Sequence, residues 1–274
     1  KRSVGLIAAF LFALSISGII FDRRLRMYAM FFPLYLGLAT ALYAFFESAY
    51  EGKKVLVKKI WDQYGVNIMY LLPLLALFGI SALAHGLTLS IVPVFGVYVL
   101  WMMIALWRKE KTLKNKYGVM VGLGLLVIVG TVVFFPKFVR ALLVTMVWFD
   151  NHYSYFGYVL RDFAHPLLGA LFIAFGSYVL GKKMNRPKEA LWVTLSALVP
   201  LAMAVWFWRR NAGPQYIFFI QSFVLILVAT GVYGVIRYVR EYLGDTVLAS
   251  RKGLLGILLL CGVLLPNYGY FLEE

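Results

Sequence analysis

Long apolar runs recur along this chain at nearly regular intervals, and they restrict its fold more than any other feature. Nine are recognisable, over 4–20, 27–48, 66–85, 87–107, 117–135, 164–181, 190–208, 216–237 and 254–270. A hydrocarbon core of about 30 Å is crossed by about 20 apolar residues in helical form. In that medium the backbone finds hydrogen-bond partners only inside a helix or a closed barrel. A barrel would need alternating segments of about 10 residues, whereas these runs are continuous. The expected fold class is therefore all-α, a polytopic bundle of about nine transmembrane helices forming a single domain over 1–274. Hydrophobic residues make up 62% of the chain and charged residues 14%, which excludes an ordinary soluble domain.

The formal net charge is +15, but in such a chain basic loops hold topology rather than nucleic acid. Lys1–Arg2 and the connections KKVLVKK (53–59), RKEKTLKNK (108–116), KKMNRPK (182–188) and RYVRE…RK (237–252) fall on one side if the runs alternate. That side carries 19 Lys and Arg, against eight on the other. The lysine-rich side is expected to be cytoplasmic, with the N-terminus inside and the C-terminus extracytoplasmic, as in a multi-pass protein of the plasma (inner) membrane. The only cysteine, Cys261, lies inside the last run and offers no disulfide or thiolate metal site within one chain. The chain starts without Met and without a signal peptide, which reads as a fragment of a longer membrane protein.

The other side is unusual in its chemistry. Seven of thirteen arginines fall there, joined by one lysine, Lys137. They are grouped as Arg23, Arg24 and Arg26 in FDRRLRMY, Arg140 and Arg161 flanking WFDNHYSYFGYVLRD, and Arg209–Arg210 in WRRNAGPQY. A guanidinium is a planar fork that binds phosphate through two parallel hydrogen bonds, whereas an ammonium is a hydrated point charge. Arginine on the face that positive charge normally avoids points to an anionic ligand; snorkelling to headgroups is the simpler use of the same residues. On a helix starting near Asp22, Arg24 and Tyr28 share a face, as do Asp22 and Arg26.

Four further features bear on a site. His85, in Ala84-His85-Gly86 where two runs meet almost without a loop, suits a satisfied structural histidine, a substrate contact or a base. Asp150 and His152 offer a catalytic acid–base pair, a divalent-metal pair, substrate contacts or merely solvated loop groups; alternate residues share a face only in extended structure. Gly213-Pro214 forces a turn that projects Arg209, Arg210, Gln215 and Tyr216 into one short loop. Segment 136–163 would carry a short interfacial helix with Val139, Leu142, Leu143, Met146 and Val147 on one face, followed by interface-seeking Trp148, Tyr153, Tyr155 and Tyr158. It would form an extracytoplasmic lid or cap on the bundle, or merely pack in the interface. Pro73, Pro93, Pro166 and Pro200 would kink or break helices and open a cavity; Gln221 would face the bundle or that cavity. Walker, GxSxG, HExxH and CxxC motifs are absent, and apart from Glu47 the carboxylates sit at loop edges.

The order of these elements resembles the GT-C membrane glycosyltransferases of the protein O-mannosyltransferase and aminoarabinose-transferase type. The resemblance is carried by VGLIAAFLFALSISGIIFDRRLRMYAMFFPLYLGLATALYAFFE with its R-x-Y element Arg26-Met27-Tyr28, and by LLALFGISALAHGLTLSIVPVFGVYVL with His85 at the turn. HPLLGALFIAFGSYVLGKK and NAGPQYIFFIQSFVLILVATGVYGV are similar to the late region of the family. Where that region has an Arg-Tyr pair, this chain has Gln215-Tyr216. The resemblance implies an enzyme that takes a sugar from a polyprenyl-phosphate donor and passes it to a lipid, glycan or protein acceptor on the extracytoplasmic face. It implies donor-binding roles for Arg23, Arg24, Arg26, Tyr28, His85, Arg161, Arg209, Arg210, Gln215 and Tyr216, and a principal catalytic carboxylate upstream of Lys1. No cofactor is assigned beyond the metal option at Asp150 and His152. A transporter or flippase for an anionic lipid or polysaccharide, or a surface-polysaccharide polymerase or ligase, would use the same arginines.

The topology has a direct test. A cysteine placed at Tyr153 is expected to react with an impermeant thiol reagent added from outside; labelling from inside only would invert the assignment.

Overall fold

The computed structural model describes residues 1–15, 19, 27–137, 139–140, 154–160, 163, 165–207 and 217–243. The described residues are helical or in turns, with no strand among them. Among the described residues ten α-helices follow one another: α1 Arg2–Leu14, α2 Met27–Glu47, α3 Val55–Tyr64, α4 Leu71–Ala84, α5 Ile91–Glu110, α6 Lys116–Phe134, α7 Ser154–Leu160, α8 Pro166–Tyr178, α9 Pro187–Phe207 and α10 Gln221–Leu243. Among the described residues five stretches are long and apolar enough to cross a membrane: Ala29–Glu47, Gly86–Glu110, Lys116–Phe134, Pro187–Val205 and Phe218–Tyr242.

The difference from nine spans has identifiable sources. The run 254–270 and most of 15–26 lie outside the described residues, and α1 and α8 as described are each only 13 residues long. The run 66–85 is not one straight helix. A turn at 65–67 separates Val55–Tyr64 from Ile68–Ala84, and the two are bent by 107°. The connection KKVLVKK, expected as a loop, thus becomes the start of an amphipathic helix. The prolines also behave differently from expectation. Pro73, Pro93 and Pro166 sit in the first turns of α4, α5 and α8, where the missing N–H would have had no intrahelical partner. Pro200 is inside α9, and so is Pro33 inside α2.

The chain divides into two compact units. In the first, which takes in α1, α7, α8, most of α9 and α10, the centre is α10. In its most apolar window 72% of residues are buried, and α8 and α1 pack on it. Two apolar helices gain little from meeting in lipid unless their backbones come close. Gly176 of α8 and Gly231 of α10 provide that approach: a methyl group on Gly176 would collide with the Leu227 carbonyl, and one on Gly231 would lie 2.8 Å from the Phe172 carbonyl. Ser177 and Thr194 hydrogen-bond at 2.9 Å between α8 and α9. Lys1 donates to the Tyr233 hydroxyl at 3.1 Å and lies over its ring, which holds the start of α1 on α10.

The second unit comprises α2 from Met30 onward and α3 to α6. One of its ends is pinned by a buried charge. Glu47, the last residue of α2, has a side chain only 2% exposed and pairs with Lys116 at 3.6 Å. Its Oε1 also accepts from the Tyr117 hydroxyl at 2.7 Å. Lys116, which opens α6, donates to the carbonyls of Phe46 and, at 3.1 Å, Gly65; its ammonium lies 4.6 Å from the Phe46 ring centre. Gly65 ends α3 in the left-handed conformation at φ 66°, the residue type that adopts it without strain. Asn67 then donates its backbone N–H to Phe45 at 2.7 Å and its amide to Ser48 and Ala49. Asn115 caps α6 through its side-chain oxygen, which accepts from Tyr117 and Gly118. Three connections (48–54, 65–67 and 111–115) are thereby tied together, so the lysine-rich segments 53–59 and 108–116 share one end of this unit.

Removing the ammonium while leaving the carboxylate buried is the costly perturbation. Lys116→Met is expected to destabilise the protein by about 3 kcal/mol, and Glu47→Gln/Lys116→Met to recover at least half of that loss. Denaturant-induced unfolding in detergent, followed by tryptophan fluorescence, reads both; equal stability of all three proteins would show that the pair contributes nothing.

Candidate functional site

His85, one of the expected site residues, lies toward the end of the second unit opposite Glu47. From Glu47 to Phe31 along α2 is 16 residues, or about 24 Å of helix. Phe31 is fully buried, and its ring centre lies 5.3 Å from that of His85. The helix bearing Phe31 begins at Met27, directly after the group Arg23, Arg24 and Arg26, and Tyr28 lies one turn before Phe31.

The His85 corner is built almost wholly from local hydrogen bonds. α4 ends at Ala84, His85 turns to extended backbone, and a five-residue 3₁₀ turn, Gly86–Ser90, leads into α5. The His85 Nδ1 accepts the Leu87 N–H at 3.0 Å and caps the turn. The Thr88 hydroxyl donates to the His85 carbonyl at 2.8 Å and meets Ser81 at 2.8 Å; with its own proton engaged, Thr88 accepts from Ser81. Ser90 donates to the buried Tyr35 hydroxyl at 3.0 Å, joining the corner to α2. Ser81, Thr88 and Ser90 are all buried. Each of these polar groups has a partner inside the protein, as burial in apolar surroundings demands.

Burial lowers the pKa of His85 from its ordinary value, which favours the neutral imidazole, and an Nδ1 that accepts a backbone N–H must carry no proton. The remaining ring nitrogen, Nε2, holds the proton in that tautomer. The ring is half-buried rather than sealed. His85 thus combines the structural role that sequence favoured with a position suited to a hydrogen-bond donor at this end of the unit.

Other expected site residues are distributed as follows. Arg23, Arg24, Arg26, Asp150, His152, Arg161, Arg209, Arg210, Gln215 and Tyr216 lie outside the described residues, as do Trp148 and Tyr153; Tyr28 is described in its backbone only, in the first turn of α2. Arg140 is exposed, in a helical stretch that continues past Pro136. Of the expected interfacial cap, 141–153 are outside the described residues, while 154–160 form α7. Tyr155 there is fully buried and packs at 6.0 Å on Tyr158, so it serves the core of its unit rather than an interface belt. Gln221 is buried in the first turn of α10. Among the described residues no three His, Cys, Asp or Glu side chains converge as metal ligands would.

The cluster that sequence reading passed over is Glu47–Lys116–Tyr117. Its signal was faint: one carboxylate closing an apolar run (AFFE), and a Lys-Tyr pair opening another 69 residues later. Nothing in the spacing joins them. Its chemistry is that of a structural ion pair, with hydrogen bonds directed to neighbouring helices and turns.

The cap role of His85 separates variants. His85→Asn, whose side-chain oxygen can accept the same N–H, is expected to keep the thermal midpoint in detergent, whereas His85→Ala loses about 1 kcal/mol. Equal loss from both would assign the ring contact with Phe31, rather than the cap, as the stabilising element.

No family model matches the chain, and no curated protein and no solved structure shows significant similarity to it.

Proposed function

We propose that this chain is the donor-binding portion of a GT-C-type integral membrane glycosyltransferase that takes a sugar from a polyprenyl-phosphate carrier at the extracytoplasmic face of the plasma (inner) membrane. The observation that carries the reading is the segregation of arginine from lysine: three arginine groups in separate connections on one side, with lysine collected on the other. The reading adopts nine spans, the N-terminus in the cytoplasm and the C-terminus outside. It is supported by the two ends of the second unit, where 53–59 and 108–116 fall together at one end and the His85 corner lies about 24 Å away along α2.

A polyprenyl-phosphate sugar is anionic, anchored in the bilayer and presented at its surface. Arg26 and Arg210, with Arg23, Arg24, Arg161 and Arg209 around them, would grip the phosphate; Tyr28, His85, Gln215 and Tyr216 would orient the sugar. As the bond from the sugar's anomeric carbon to the phosphate oxygen breaks, its electron pair goes to the phosphate. Guanidinium groups fixed around that oxygen stabilise the growing charge more than they stabilise the intact donor. The acceptor is a lipid, glycan or protein nucleophile that forms the new bond to the same carbon.

A donor-transfer assay with a polyprenyl-phosphate sugar tests this. Arg26→Ala is expected to lower turnover about 100-fold. Arg26→Lys is expected to lower it about tenfold, for loss of one charged hydrogen bond. Full activity in Arg26→Lys would reduce the role to simple charge, and unchanged turnover in Arg26→Ala and Arg210→Ala would remove the assignment. Donor binding and movement across the bilayer with no transfer would favour a flippase.

A further inference from the structure

α3 has a distribution of side chains that neither water nor the interior of the protein suits. Its buried residue is Val57, while Val55 and Leu56 are 83% and 71% exposed beside four exposed lysines, Lys53, Lys54, Lys58 and Lys59. The helix is turned by 107° from Ile68–Ala84, so it runs across the end of that segment instead of along it. Its own end is held in place: Gly65 closes it with a left-handed cap and receives Lys116, and Asn67 locks the following turn to α2. The outer face is therefore presented by a fixed helix. It includes a groove lined by Gly52, Lys53, Val55, Lys58, Lys59 and Gln63. Asp62 also borders the groove and is the one acid among its lining residues.

We propose that α3 is an interfacial anchor that binds anionic phospholipid, with Lys53, Lys58 and Lys59 around the headgroup phosphate and Val55 and Leu56 inserted beside the acyl chains. A helix lying in the membrane plane buries apolar residues at the headgroup boundary and keeps lysine at the phosphate level. The charge of the groove selects a negative headgroup over a zwitterionic one. Lysine suits such a site, because snorkelling ammonium groups collect around a mobile headgroup without the fixed geometry that a planar fork demands. The site lies at the lysine end of the second unit, far along α2 from the His85 corner, and does not depend on the transferase reading.

The test uses the full chain with phosphatidylglycerol and phosphatidylcholine as probes. In native mass spectrometry, phosphatidylglycerol is expected to bind more tightly than phosphatidylcholine. Lys58→Gln/Lys59→Gln is expected to weaken only the former, by about 30-fold at about fivefold per lysine near an anionic surface. Unchanged phosphatidylglycerol affinity in the variant overturns the proposal, and so does displacement of the lipid by inorganic phosphate, which would mark a site for the free anion. A fluorophore on Val55→Cys in nanodiscs supplies a second measurement independent of lipid bound elsewhere. It is expected to be shielded from aqueous iodide when phosphatidylglycerol is present. A label that iodide quenches in every nanodisc would leave this face to a soluble partner and overturn lipid anchoring.

Discussion

Apolar helices surrounded by lipid gain almost nothing from touching one another, because the acyl chains they displace are as apolar as their own side chains. Association has to rest on close backbone approach and on polar groups that lack any alternative partner. The first unit uses the former, with Gly176 and Gly231 bringing α8 and α10 into backbone contact. The second uses the latter. Glu47, Lys116 and Tyr117 satisfy one another and two carbonyls at a place where each alone would be expensive to bury. The apolar bulk of the chain then fits around these few fixed points.

That arrangement gives the second unit two chemically different ends. One is a charged pin surrounded by lysine-rich connections, with α3 held across it. The other is a corner of hydroxyls and a neutral imidazole, satisfied by local hydrogen bonds and linked to α2 through Phe31 and Tyr35. The two proposals ask for opposite cation chemistry: forked arginine around a reacting phosphate, and adaptable lysine around a headgroup.

Much of this was legible in the residues. The runs ending at Glu47 and beginning near Lys116 became helices nearly where hydropathy placed them, and His85 sits at a short turn as its place between two runs implied. Other elements were hidden for definite reasons. KKVLVKK reads as a charged loop because its lysines outnumber its apolar residues; that it starts a helix follows only once Val57 finds a buried place and Gly65 a left-handed stop. Three of the prolines expected to break helices sit in first turns, a distinction of two or three residues that boundary reading cannot resolve. Tyr155, expected as an interface aromatic, fills its own unit's core instead.

Composition and periodicity alone determined that the chain is helical and suited to a membrane, and that its arginines and lysines fall in separate groups along the sequence, because those properties are local or additive along the chain. Which residues 69 positions apart would share one buried charge, which glycines would meet, and that α3 would cross the end of its unit rather than continue α4 were decided only in three dimensions. Each depends on the partner that desolvation leaves available, and a partner is a property of packing rather than of spacing.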